Sequence, residues 1–235
     1  MGAVKKIGYW FKNYWYYYKW RVIIIAFFVG VIIFCAVQSG DREQYDVCIL
    51  YTGPHMFEVG EKDTLSSSFT QIMSEDYDGN GNKNVQIVDM TAFTDDQIRE
   101  AIGTSDDPVL SVRYAPYTVD NVKSSFSKQV FSGDTVICLL DEYWYNILRD
   151  ADGLVKLEEV LGYRPDNLKD DYSADFKSLD FSVFFESASK LPDGTIICFR
   201  KMSTASAFTG RKAAEKNYEN SKKMLKDIFS FENPQ

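Results

Sequence analysis

The sequence predicts an α/β protein: one N-terminal transmembrane helix, then a single three-layer α/β domain whose sheet is mostly parallel with an antiparallel addition. Three observations carry that prediction. An apolar run without any charged side chain occupies residues 22–37. Beyond it, short strand-type runs alternate with segments of helical periodicity. Near the C-terminus, a Pro192-Asp193-Gly194 turn separates two further strand-type runs.

The first element is Val22–Val37, VIIIAFFVGVIIFCAV. With Trp20 and Gln38 it approaches the ~20 residues that cross a bilayer. A buried helix of a soluble protein competes, but it would show polar residues every few positions, and this run has none. Tyr14-Trp15-Tyr16-Tyr17-Tyr18-Lys19-Trp20-Arg21 precedes it, a composition suited to the headgroup region. Residues 1–37 hold five basic side chains (Lys5, Lys6, Lys12, Lys19, Arg21) and no acidic one. The positive-inside rule therefore places residues 1–21 in the cytoplasm, 22–38 in the membrane, a spacer at 39–44 and residues 45–235 outside. A cleaved signal peptide competes, but Ala36-Val37-Gln38 and Ser39-Gly40 suit cleavage poorly. Lipidation at Cys35 meets the bulk of Phe34 just before it.

In the outer segment, Asp46–Tyr51 reads as a buried strand closed by Gly53-Pro54. Leu65, Phe69, Ile72 and Met73 follow at helical spacing, with Asp63 as the expected cap. Val85–Met90 is a second strand. Thr94 and Gln97 form a capping box ahead of Ile98, Ala101 and Ile102. Val122, Phe126 and Val130 mark a helix, Thr135–Leu140 a strand, and Trp144 and Leu148 another helix. Leu161–Ser178 is polar and broken and reads as a surface loop or the hinge-side edge of the domain. Phe181, Val183 and Phe185 alternate with Ser182 and Phe184, which suggests a strand paired with Thr195–Phe199. A helix from about Arg211 to Phe229 closes the chain, with Ala214, Tyr218, Ser221, Leu225 and Ile228 on one face. No Gly/Ser-rich linker divides residues 45–235, which read as one domain.

Composition narrows the function. Residues 38–235 hold 21 basic and 34 acidic side chains. A domain so acidic repels nucleic-acid phosphates, so no nucleic-acid partner is expected. His55 is the single histidine, which removes any two-histidine metal site. There is no Gly-x-Ser-x-Gly elbow. Cys48, Cys138 and Cys198 each fall within an expected strand, none with C-x-x-C spacing, and are read as buried thiols, with one disulfide between neighbouring strands as the competing reading.

Ser132-Gly133-Asp134-Thr135-Val136-Ile137-Cys138-Leu139-Leu140-Asp141, then Tyr143-Trp144 and Gly153-Leu154-Val155-Lys156-Leu157, resemble part of the first lobe of extracellular solute-binding proteins. The resemblance implies a solute-binding-like role for the outer domain. The whole chain also resembles single-pass membrane proteins of unassigned function from Gram-positive anaerobes, through the aromatic-Lys-Trp run before the anchor. That second resemblance implies no activity.

Two sites are expected. In open parallel sheets ligands gather beyond the carboxyl ends of the strands, where His55, Thr91 and Asp141 stand as ligand-binding candidates; a plain surface-loop role competes for His55. The other is Asp76-Tyr77-Asp78-Gly79-Asn80-Gly81-Asn82-Lys83-Asn84. Oxygen-bearing residues at positions 1, 3, 5 and 9, with glycine at 6, resemble a calcium loop. Asp76, Asp78, Asn80, Asn84 and the carbonyl of Asn82 are the candidate ligands. Ile87 occupies the place of the usual bidentate Glu, so no cofactor is required and any Ca²⁺ binding is weak. An ordinary Asn/Gly turn is the competing reading. The expected function is a non-catalytic, membrane-anchored binding or interaction domain for an envelope protein or small solute. The alternative is a cell-surface hydrolase using Asp141-Glu142 and Asp89 as its carboxylates.

Overall fold

The computed structural model describes residues 3–40, 45–103, 108–203 and 210–234. The chain divides into two compact units, Met1–Gln44 and Tyr45–Gln235. In the first, helix α1 runs unbroken over Ala3–Gly40, about 57 Å at 1.5 Å per residue. Its stretch Trp15–Ile33 is long and apolar enough to cross a membrane, with mean hydropathy 1.6 and no buried face. That stretch includes Val22–Ile33 of the expected span 22–38. The expected spacer is helical through Gly40. Its residues 41–44, and the side chains of Cys35 and the Ala36–Gly40 junction, lie outside the described residues.

The second unit is a mixed α/β domain built on one open six-stranded sheet. The strands are β1 (Val47–Thr52), β2 (Val85–Asp89), β3 (Thr135–Leu140), β4 (Leu168–Asp170), β5 (Ser173–Asp175) and β6 (Ile196–Phe199). Their order is β2-β1-β3-β6-β5-β4. β1 lies parallel to β2 and to β3. β6 runs antiparallel to both β3 and β5, and β5 antiparallel to β4. Four of the six strands thus point the same way.

Helix α2 (Glu61–Ile72) connects β1 to β2. Helices α3 (Asp95–Ile102), α4 (Pro108–Tyr114) and α5 (Val119–Ser132) connect β2 to β3. Helix α6 (Glu142–Asp150) follows β3, and α7 (Leu157–Leu161), α8 (Asp180–Phe184), α9 (Glu186–Ser189) and α10 (Arg211–Ser230) complete the domain. Strand alternation sorts the core onto two faces. Val47, Ile49, Tyr51, Ile137 and Leu139 pack with Leu65 and Phe69 of α2 and Met224, Leu225 and Ile228 of α10. Leu50, Cys138, Leu140 and Cys198 pack with Phe126 of α5 and Trp144 and Leu148 of α6. Each fully buried Leu or Ile of this kind contributes roughly 1.5–3 kcal/mol.

Three local expectations are corrected. Phe181–Phe185 is not a strand; it forms α8 and the residue after it. Phe181 turns inward to stack on Phe69, rings 4.5 Å apart, while Val183 and Phe184 stay exposed. Packing against α2 decides that segment, not its alternation. The partner of β6 on that side is therefore β5, drawn from the segment read as a loop. Asp63 does not cap α2: Gly60 holds the N-cap position without a side-chain bond, and Asp63 lies in the first turn.

Candidate functional site

β1 lies one strand in from the edge, with its crossover leaving through α2 to β2 on one side and the chain returning to β3 on the other. The segments leaving the carboxyl ends of β1 and β3 therefore diverge, which is where open sheets form a crevice. Here Thr52 O accepts a hydrogen bond from Asp141 N at 3.0 Å, and Gly53 O one from Ala92 N at 2.9 Å. Gly53 is required by crowding. A Cβ at this position would lie 2.9 Å from the Tyr51 hydroxyl and 3.7 Å from Asp141 Cβ.

Asp141 caps α6. Its Oδ1 accepts from Trp144 N at 3.1 Å, and its Oδ2 from Gln97 Nε2 at 3.2 Å. Gln97 in turn closes the capping box of α3 through Thr94. Burial raises the Asp141 carboxyl above its ordinary value, against the lowering influence of the Trp144 and Gln97 bonds. The Tyr51 hydroxyl accepts from His55 N at 3.1 Å. Burial, and then the nearby carboxylates of Asp141, Asp89 and Glu61, push its pKa far up, so it stays a neutral hydroxyl.

Tyr51, Pro54, Gln97, Asp141, Lys169 and Thr195 are among the residues lining a cleft of about 200 Å³ at this point. Glu142 and Asp193 also reach it, so acid predominates; Lys169 Nζ sits 3.4 Å from Glu142 Oε1. Of the three expected ligand residues, Asp141 lines the cleft; His55 and Thr91 are not among its lining residues. The Thr91 hydroxyl is 2.9 Å from both His55 O and Asp89 Oδ1. The His55 ring sits edge-on to Phe57, 4.8 Å between centroids, with Nε2 3.1 Å from Glu61 Oε1. Sequence reasoning missed Tyr51, Gln97, Lys169 and Thr195 as members of the site. Tyr51 alone carried a local signal, as the last aromatic of β1 before Gly53-Pro54.

The second candidate lies at the opposite end of β1. Asp46 immediately precedes that strand and is buried. The parallel register places it beside Asn84. Asp46 Oδ2 accepts from Asn84 N at 2.9 Å and Oδ1 from Asp78 N at 2.8 Å. Oxygens of Asp46, Asp76 and Asp78 all lie within 4.8 Å of one another. Asp76 Oδ1 accepts from Gly79 N at 2.8 Å and Oδ2 from Gly81 N at 2.6 Å. Those backbone amides, Gly81 first, hold the Asp76 carboxyl below its ordinary value, while burial raises that of Asp46. Gly81 adopts φ 92°, a conformation that favours glycine. Of the neutral candidates, Asn80 turns its amide nitrogen toward Asp78 Oδ2 at 2.9 Å and its oxygen toward Asn82 N at 2.7 Å. Asn82 and Asn84 are exposed. The structure thus joins Asp76 and Asp78 to Asp46, a residue the loop motif does not contain.

Comparison of the chain with protein-family models, curated proteins and solved structures finds no match.

Proposed function

We propose that the chain is a membrane-anchored, non-catalytic binding module. In this reading α1 crosses the cell membrane once with its N-terminus in the cytoplasm, and residues 45–235 form an extracytoplasmic three-layer domain. The cleft beyond β1 and β3 takes a small solute bearing amine or hydroxyl donors. The observation that carries the reading is the acidic, acceptor-rich cleft at the point where the strand order reverses. The resemblance to solute-binding proteins points the same way. Hydrolysis would need Asp141 and Asp89 as acid, base or nucleophile while Asp141 holds Trp144 and Gln97 and Asp89 holds the Thr91 amide at 2.9 Å; solute binding asks of Asp141 only one further accepted bond. The test is thermal melting of the full chain in detergent with putrescine, ethanolamine or glycerol. At least one should raise Tm in the native protein and leave Asp141→Asn unmoved, since Asn caps a helix as well as Asp does. Turnover of nitrophenyl glycosides that Asp141→Asn abolishes would favour the hydrolase instead. A protein partner in the envelope is the other occupant of this reading, tested by capture from native membranes.

The reading extends to a weak structural Ca²⁺ held by Asp46, Asp76 and Asp78. Ca²⁺ binds oxygens at 2.3–2.6 Å, so oxygens within 4.8 Å of one another fit around one ion. Only hard oxygen donors are present, and three neighbouring carboxylates gain from a cation between them. The affinity belongs in the range on the order of 10⁻⁴–10⁻³ M, and several-fold saturation would stabilise the fold by about 1–2 kcal/mol. Melting in EGTA against millimolar Ca²⁺ should show that gain in the native chain and lose it in Asp46→Asn. An equal melting point in both buffers would return the loop to an ordinary turn.

A further inference from the structure

The N-terminal half of α1 carries a periodicity that a simple anchor does not need. Lys5, Lys12 and Lys19 recur every seventh residue, and an aromatic triplet precedes each of the last two: Tyr9-Trp10-Phe11 and Tyr16-Tyr17-Tyr18. Seven residues nearly complete two helical turns, so the three lysine positions share one face. Near the apolar run the arrangement is visible in side chains. Lys19 Nζ lies 6.0 Å from the centre of the Tyr16 ring, and the Arg21 guanidinium 5.7 Å from that of Tyr18. Tyr16, Tyr17 and Trp20 are each exposed by 70% or more, and no acidic residue occurs in α1 to neutralise the cations.

We infer that Lys19 and Arg21, flanked by the rings of Tyr16, Tyr18 and Trp20, form a collar that binds the headgroups of anionic phospholipids. The inference rests on the reading of α1 as a membrane anchor. Charge complementarity selects the occupant. Among the described residues neither cation has a carboxylate partner, and both stand at the N-terminal edge of the apolar run 22–37, the depth of a lipid phosphate in the anchor reading. The ring faces hold each cation at that depth. Basic residues beside a membrane span recognise anionic leaflets electrostatically, and the effect fades within a Debye length, about 8 Å at physiological salt. At 1.5 Å per residue, Lys19 and Arg21 are inside that distance of Val22, while Lys5 and Lys6 lie more than about 20 Å further along the helix. The collar, not the distal lysines, therefore sets the preference.

The test uses the full chain reconstituted in vesicles of phosphatidylcholine, alone or with phosphatidylglycerol, with bromine on the acyl chains of one lipid at a time. Trp15 and Trp20 report contact by quenching. Brominated phosphatidylglycerol should quench severalfold more than brominated phosphatidylcholine at equal mole fraction. The ratio should fall to one in Lys19→Gln/Arg21→Gln and persist in Lys5→Gln/Lys6→Gln. A ratio of one in the native chain, or one unchanged in the collar variant, would overturn the proposal while the anchor reading stands. Failure to co-float with either vesicle would overturn the anchor reading itself.

Discussion

Gly53 shows how one missing Cβ shapes the cleft. The Tyr51 ring it faces is buried and cannot swing away, so Gly53→Ala forces displacement of the hydroxyl or of Asp141. The expected loss is about 1–3 kcal/mol in urea unfolding, as for other overpacked sites. Asp76 makes a second residue-scale prediction. Its carboxyl is held below the ordinary value by the Gly81, Gly79 and Asp78 amides. The folded state therefore binds its proton more weakly than the unfolded chain. Its contribution is full above the unfolded value of 3.8 and is lost as pH falls through the lower folded value. Asp76→Asn should flatten the acid limb of a Tm-against-pH curve relative to the native chain; parallel limbs would refute this. Asp76 and Asp78 were legible because their spacing is local. Asp46 was not, because only strand register brings a residue so distant in sequence to the same loop.

Among the elements, α3 was legible to the residue. Thr94 and Gln97 make both bonds of the capping box, a motif decided within four residues. β1, β2 and β3 were legible as apolar runs closed by turn residues. α8 was not, since Phe181 answers to Phe69 across the core rather than to its neighbours. β4 and β5 are three residues each, too short for any period to register. The β3–β6 pairing carries a prediction about Cys138 and Cys198, which face each other directly across the strands. Arg200 N bonds Val136 O at 2.9 Å, so the cysteine pair two residues along is also of the hydrogen-bonded kind. Such pairs hold their Cβ atoms near 5.5 Å, beyond the roughly 3.5–4.5 Å that a disulfide needs. Both thiols should stay reduced in an oxidising medium. The neighbouring Cys138 thiol, with burial, raises the Cys198 thiol and further lowers its reactivity. Alkylation under denaturing but non-reducing conditions, read by mass spectrometry, should label both; a mass two daltons short at this pair would contradict the register argument.

For the whole molecule, α10 ties the last stretch of chain to the first strand. Leu225 is fully buried beside Met224 and Ile228 against β1 and β3 residues. Leu225→Ala should cost about 2–5 kcal/mol in the unfolding free energy of the domain. A loss confined to the fraying end of α10, with the sheet melting as before, would show that the helix is an appendage. The division into a basic, aromatic, apolar first unit and an acidic α/β second unit was legible from composition alone, because charge and hydropathy change abruptly along the chain. The cleft was legible only as a location, the carboxyl ends of β1 and β3. Its lining was not, since Gln97, Lys169 and Thr195 arrive there from three separate segments.

The position of β1 also has a mechanical meaning. Asp46 precedes this strand, and the cleft opens at its other end, beyond Thr52, about 20 Å away along a strand of this length. Under the proposed reading, a pull between a membrane and a bound partner would travel down β1. That strand is gripped on both sides by parallel neighbours, β2 and β3, so the two ladders bear a lengthwise pull in shear, many bonds at once, rather than peeling one by one. At the point of entry, Asp46 is clasped by the amides of Asp78 and Asn84, and its carbonyl by Asn220 Nδ2 at 3.3 Å. Under that reading, the cluster proposed to seat a cation would also brace the end of β1 at which the pull enters.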